Sequence, residues 1–193
     1  VWSEADRLPG LVVDRYGPVL VLQALTLGMA HSRPTVVTAL RAAVGDLPVF
    51  ALDEATPARL EGFAPERGWV DRAGPEAVVV REGAVSLKVT LGAGHKTGLY
   101  LDQRENRLRV GPLARGRDVL DVFAYAAAFA CHALRGGARS VLCGESSRAV
   151  AAAARENLAL NDGDRRSEVT EANAFDELRR LERAGRRFGL IVV

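Results

Sequence analysis

At 193 residues, with 48% apolar content and a net charge of +2, the chain has room for one domain or two small ones with real cores and reads as a globular protein. No apolar run reaches the ~18 residues needed to span a bilayer, and no charged segment leads into a short apolar one near the start, so the expected compartment is the cytoplasm. All but Lys88 and Lys96 of the 26 basic residues are Arg, a bias that a GC-rich genome explains, together with the abundant Ala, without a selected nucleic-acid surface.

Residues 9 to 24, PGLVVDRYGPVLVLQA, are two apolar, β-branched runs around the turn Arg15-Tyr16-Gly17-Pro18, which predicts a hairpin. A helix follows, with Ser32 as N-cap, Pro34 in the first turn, Val36, Val37, Leu40 and Val44 on one face and Gly45 as its stop. Pro48 to Leu52 reads as a third strand, and the polar, Pro- and Gly-rich segment Asp53 to Gly74 as a loop. Ala77 to Arg81 and Val85 to Val89 flank Glu82-Gly83-Ala84 as a second hairpin. The sum, strand, strand, helix, strand, strand, is a small α+β domain over residues 1–91, with the helix on one face of its sheet.

Residues 92–109 concentrate hydrogen-bonding side chains, His95, Lys96, Thr97, Asp102, Gln103, Arg104, Asn106 and Arg107 among them. A solvated linker entering an amphipathic helix near Asp102 needs no such density, so this connector is read as functional. From Asp118 to Arg148 the text is an apolar run (Val119 to Phe123), a small-residue turn, a helical pattern stopped at Gly136-Gly137, a second apolar run (Val141 to Cys143) and an acid, Glu145. That is the order of a nucleotide-binding βαβ unit, in which an acid about 20 residues on accepts ribose hydroxyls; the usual glycine-rich turn is absent. Ser147 begins a helix to about Leu160, Asn161 to Asp164 turn, Ser167 to Thr170 form a strand, Phe175 to Arg183 a helix, and Phe188 to Val193 an apolar strand. A doubly wound sheet commonly has five or more strands and only four can be drawn, so either the chain continues or a partner supplies the missing edge; the first is preferred, and residues 110–193 read as the N-terminal half of a Rossmann-like domain in a fragment of a longer protein. Cys131 and Cys143 suit buried apolar positions, and the three histidines have no metal-site spacing.

Taken in order, Leu8-Pro9-Gly10-Leu11-Val12-Val13-Asp14-Arg15-Tyr16-Gly17, Arg59 with Glu61-Gly62, Lys96-Thr97-Gly98, Leu101-Asp102-Gln103-Arg104-Glu105-Asn106-Arg107, Val119-Leu120-Asp121-Val122-Phe123 with Tyr125 and Phe129, and Asn157 with Leu160-Asn161 resemble one family over essentially the whole chain. It is that of the bacterial class I S-adenosylmethionine-dependent methyltransferases of large-subunit ribosomal RNA, of the cytosine-C5 type. The Lys-Thr-Gly and Leu-Asp-Gln-Arg-x-Asn-Arg elements are the specific ones. The resemblance implies a PUA-like RNA-binding domain ahead of this chain, a central α+β domain, and a Rossmann-like methyltransferase domain whose Asp-Pro-Pro motif and catalytic cysteine lie beyond Val193. It therefore implies no catalytic residue in this chain, since without the cysteine nothing adds to the pyrimidine ring to make C5 reactive. Ribosomal RNA as partner, reached through the absent domain and a basic surface, and pairing as homodimers are further expectations.

For the cofactor, S-adenosyl-L-methionine, the resemblance carries the first-strand acid and turn onto Asp121, Phe123, Ala124, Tyr125 and Ala126, the ribose acid onto Glu145 with Ser146 beside it, and the adenine-contacting acid onto Asn173, with Ala174 and Phe175 after it. Gln103 and Arg104 match residues expected to close over the methionine carboxylate, a task suited to a planar guanidinium. Four positions depart from the family: paired glycines are Ala127 and Ala128, an Asp is Asn173, and a β-branched residue is Gly144. A second function class is therefore a non-catalytic RNA-binding or assembly protein with a degenerate pocket. A nicotinamide-dependent dehydrogenase needs turn glycines that are absent and leaves the connector motifs unused.

Overall fold

The computed structural model describes residues 1–93, 97–163 and 165–193, so His95 and Lys96 of the connector lie outside the described residues. The chain divides into two units, Val1–Val79 with Val89–Leu99, and Val80–Lys88 with Tyr100–Val193. This division differs from the sequence-based one, which ends the first domain at residue 91 and sets 92–109 apart.

In the first unit β1 (Leu11–Tyr16) and β2 (Val19–Ala24) pair antiparallel, β2 pairs parallel with β3 (Val49–Leu52), and β3 antiparallel with β4 (Arg67–Trp69), in the order β1-β2-β3-β4. Period-two alternation puts Leu11 and Val13, Leu20 and Leu22, and Val49 into one core with Val37 of α2 (Arg33–Val44). A short helix, α1 (Leu27–His31), precedes α2 and is capped by Thr26, whose hydroxyl accepts from Met29 N at 3.4 Å. Ser32, expected as the N-cap of α2, is itself in helical conformation between the two and makes no cap bond. The expected loop 53–74 holds α3 (Ala55–Glu61) and β4. Pro57 lies in the first turn of α3 and Gly62 is its C-cap, so residues that read as loop punctuation mark a helix start and stop. Too short to show alternation, β4 is held by Trp69, whose ring meets that of Phe50, its cross-strand partner, edge-on at 5.2 Å.

β5 (Ala77–Glu82) and β6 (Val85–Thr90) form a two-stranded sheet of their own. Two buried polar nodes organise the first unit. Asp53 accepts from Ala24 N (2.8 Å), Glu66 N (2.9 Å) and Arg33 Nη2 (2.5 Å). Thr97, of the Lys-Thr-Gly element, is buried, donates to Asp14 and is 2.9 Å from the Tyr16 hydroxyl, which accepts from Leu99 N at 3.0 Å. Gly98 follows at φ +148°, where a Cβ would sit 2.5 Å from Val89 Cγ1. Thr97 and Gly98 thus have a packing reason to be what they are.

The second unit contains α4 (Arg104–Leu113), β7 (Asp118–Val122), α5 (Ala128–Arg135), β8 (Ser140–Glu145), α6 (Arg148–Leu160), β9 (Ser167–Glu171), α7 (Ala174–Arg183) and β10 (Leu190–Val192). The strands are parallel in the order β10-β7-β8-β9, the mixed α/β Rossmann-like arrangement expected. Alternation on β7 sends Leu120 and Val122 toward Leu181 of α7, and Asp121 toward α5 on the other face. The direction of chain progression reverses between β7 and β10, so the carboxyl end of β7 is a topological switch point, where open α/β sheets bind ligands.

A buried ion pair fixes α4. Arg107 donates Nε and Nη2 to the two carboxylate oxygens of Glu82, each at 2.7 Å, and Nη1 to Tyr100 O at 2.8 Å; His132 Nε2 lies 2.9 Å from Glu82 Oε1. Burial pushes the Glu82 pKa up, but the bonds and charge of Arg107, then His132, outweigh it and hold the group below its ordinary value. On α6, Asn157 Oδ1 accepts from Lys88 N (2.7 Å), while Asn161 bonds both Ser86 N (3.0 Å) and Ser86 O (2.8 Å). Two side-chain amides four residues apart thereby pair the edge of β6 as a neighbouring strand would.

Candidate functional site

The turn after β7 is backbone under strain. Phe123, Tyr125 and Ala127 all have positive φ, 59°, 50° and 58°, conformations that cost a residue with a Cβ about 1–2 kcal/mol each. Such strain persists only where neighbours determine it. Ala124 N donates to Gly144 O (3.0 Å), Ala127 N to Ala124 O (2.8 Å), and the buried amide of Asn157 donates to Ala126 O (3.0 Å). The Tyr125 ring meets the Tyr100 ring edge-on at 5.5 Å.

Glu145 ends β8 beside this turn and is half-buried. Its Oε2 accepts from Tyr125 N at 3.1 Å and its Oε1 from Ser147 N at 2.8 Å. A carboxylate has about four acceptor sites, so two backbone bonds orient it and leave capacity for a diol. Ser146 is exposed next to it. Beyond β9, Asn173 caps α7, its Oδ1 accepting from Phe175 N at 3.0 Å. An Asn in place of an acid keeps that cap, since both side chains present the same acceptor oxygen. The Ala174 side chain packs into the core with Leu120, Val122 and Leu142. Phe175, 63% exposed, faces Phe123, 57% exposed, with ring centroids 6.3 Å apart.

The structure therefore brings the turn Phe123 to Ala126, Glu145, Ser146 and Asn173 to one edge, the carboxyl ends of β7, β8 and β9. Asp121 is different: buried in β7, it accepts from Ala130 N at 3.2 Å and so caps α5, whose N-cap residue Ala127 offers no side-chain acceptor. Burial pushes the Asp121 pKa up to about 7, against the hydrogen bond from Ala130. Gln103 is bonded within its own segment, to Asp102 (3.1 Å) and Asn106 (2.9 Å), and Arg104 is exposed at the first position of α4. From the connector, Tyr100 reaches the turn. Tyr100 and Asn157 are absent from the sequence-based site. Phe175 enters it through its place after Asn173 and Ala174; Tyr100 and Asn157 are separated from the turn by 23 or more residues of chain.

Gly144 has nothing within 4 Å of where a Cβ would project, and β8 runs through it in register with β7 and β9. Burial pushes the Cys131 pKa up to about 12 and that of Cys143 well above its ordinary value, with the Asp121 charge adding to both.

Over 192 residues the chain is 33% identical to the ribosomal RNA large subunit methyltransferase I of Alteromonas mediterranea, covering 99% of this chain and 48% of that one. It is 35% identical over 193 residues to the protein of the same name from Erwinia tasmaniensis, covering 99% and 49%. The chain thus spans about half the length of the curated relatives it matches. Two solved structures share the fold. One, described as an S-adenosylmethionine-dependent methyltransferase from Streptococcus mutans, superposes with TM-score 0.84 at 24% identity, covering 99% of this chain and 50% of that one. Another, described as a methyltransferase complexed with S-adenosylhomocysteine, superposes with TM-score 0.87 at 22% identity, covering 99% and 49%. The sequence pattern of the S-adenosylmethionine-dependent methyltransferases matches residues 59–193, and with more than half its length inside that match the chain belongs to this family.

Proposed function

We propose that the chain carries the cofactor-holding part of an RNA methyltransferase acting on a cytosine of large-subunit ribosomal RNA. The observation that carries the reading is Glu145, oriented by two backbone amides beside a strained turn at the switch point of the sheet. The residues fit S-adenosyl-L-methionine. Glu145 has acceptor capacity for the ribose hydroxyls, with Ser146 next to it, and the exposed rings of Phe123 and Phe175 offer apolar faces to adenine near Asn173 and Ala174. The backbone of Phe123 to Ala126 would face the methionine end, and Gln103 and Arg104, which sit on the connector, would close over its carboxylate. When bound, the cofactor supplies a methyl group on a positively charged sulfur.

The ribosomal RNA substrate rests on the names of the relatives, and cytosine on the motif resemblance. Transfer to cytosine C5 needs a nucleophile, and neither buried thiol here can serve, so this chain alone transfers no methyl group. The competing reading, a non-catalytic RNA-binding protein with a decayed pocket, draws on Ala127. Against it, the left-handed conformation of Ala127 is shared by Phe123 and Tyr125 and held by named bonds, as in a built turn.

Calorimetric titration of S-adenosylhomocysteine into the chain tests this. Saturable binding is expected, weakened at least ~10-fold by Glu145→Ala, the scale of a lost charged hydrogen-bond acceptor. A chain that folds and takes up no S-adenosylhomocysteine would overturn the reading.

A further inference from the structure

Parallel strands all begin at one edge of their sheet, so the loops before β7, β8, β9 and β10 lie side by side at the edge away from the site. Each brings arginine. Arg115 and Arg117 precede β7, Arg139 precedes β8, Arg165 and Arg166 precede β9, and Arg186 and Arg187 precede β10; all are exposed. The loops are joined: Arg139 N donates to Arg117 O (2.8 Å), Arg166 Nη1 to Ala138 O (2.9 Å), and Gly189 N to Asp118 O (2.9 Å). At about 4.8 Å between strands the row is ~14 Å wide.

Cations near helix C-termini are ordinary, because they meet the negative end of the macrodipole. That accounts for Arg135 and Arg183, in the last turns of α5 and α7. It does not account for arginines outside the helices. Among the described residues, Asp118 is the one carboxylate in a salt bridge with the row, through Arg139. Arg139, then Ser140, and more weakly Arg186 hold the Asp118 pKa far below its ordinary value. Among the described residues, the exposed carboxylates Asp162, Glu168 and Glu182 lie on the flanking segments and are outnumbered.

We infer that this edge of the second unit is a docking face for the phosphate backbone of RNA, separate from the cofactor site. Its choice of polyanion rests on the RNA-methyltransferase reading. Position, not composition, carries it: a genome-wide preference for Arg would scatter the side chains rather than place them before every strand of one sheet. The guanidinium fork of an arginine pairs two oxygens of one phosphate. Among the described residues, the loops expose no large apolar side chain, the anchor an interfacial segment would bury in a bilayer. The contacts proposed are to backbone and carry no base specificity.

The test is fluorescence anisotropy with a labelled 24-nucleotide single-stranded RNA of mixed sequence, titrated with the chain over a range of salt. The patch variant carries Arg115→Gln, Arg165→Gln and Arg187→Gln. A control of equal charge carries Arg7→Gln, Arg59→Gln and Arg81→Gln, exposed positions elsewhere. Expected is a tenfold or greater loss of affinity in the patch variant and a log–log salt slope shallower by about 2, from ~0.7 per phosphate contact on a single strand. Thermal midpoint and S-adenosylhomocysteine affinity should stay at the parent values, and the control should bind RNA nearly as the parent does. Equal losses in both variants would reduce the effect to net charge and overturn the proposal, as would unchanged RNA binding by the patch variant. Binding of phosphatidylserine vesicles that depends on these arginines while RNA binding does not would assign the face to a membrane and also overturn it. Failure of the S-adenosylhomocysteine titration with RNA binding intact would strike the cofactor reading alone.

Discussion

Asp121 shows how one residue can be legible as a position and illegible as a role. Its spacing from Glu145 marks the βαβ unit, but its carboxylate points into the protein and caps α5. With its folded pKa raised to about 7 from 3.8, it is protonated in the folded chain and ionised in the unfolded chain between those values. Folding stability therefore falls as pH rises from about 4 to about 7 and is flat above. Asp121→Asn, neutral at every pH and still able to accept from Ala130 N, should abolish that slope. At pH 8 it should stabilise by ~2 kcal/mol after allowance for the favourable helix N-terminus. Urea titrations at pH 5 and pH 8 measure both. A parent that gains stability from pH 5 to pH 8 through this residue would show instead that the helix terminus keeps the carboxylate ionised.

Among the elements, the connector motif divides into an anchor and a remainder. Arg107 is buried against Glu82 and locks α4 to the tip of the second hairpin, whereas Gln103 and Arg104 stay toward solvent. The density of polar residues in 92–109 is thus partly structural, and no count of donors could separate the two uses. Removing one partner of a buried pair leaves the other charged and desolvated. Arg107→Met should cost ~3–5 kcal/mol in urea unfolding, and the double variant with Glu82→Leu less than half of that, because no orphan charge remains. Additive losses would mean that the pair contributes through packing alone. The asparagines of α6 carry the same lesson. Asn157 and Asn161 mimic a strand for β6, and Asn157 also holds the turn carbonyl, roles that their four-residue spacing permits but does not announce.

For the molecule as a whole, both cysteines report on the second unit. Neither side chain is exposed and both thiols are held protonated, so a thiol reagent at pH 8 should label Cys131 and Cys143 only as fast as that unit opens. Labelling at the rate of a free thiol in native buffer would contradict the burial and reopen a nucleophilic role. Local pattern alone placed both hairpins, α2, and every strand and helix from β7 to β10 to within a few residues, because period-two and period-3.6 alternation and glycine stops are written in neighbouring residues. It missed α1, α3 and β4, elements too short to show a period, and in α3 Pro57 and Gly62 read as loop. The site divided likewise. Glu145 and the turn were visible from strand, helix, strand, acid, a local order. That Tyr100, Asn157 and Phe175 meet them, that Thr97 and Arg107 are buried clamps, and that the arginines line one sheet edge were decided by tertiary structure alone, since each depends on residues that share no local period and become neighbours only when parallel strands align their ends.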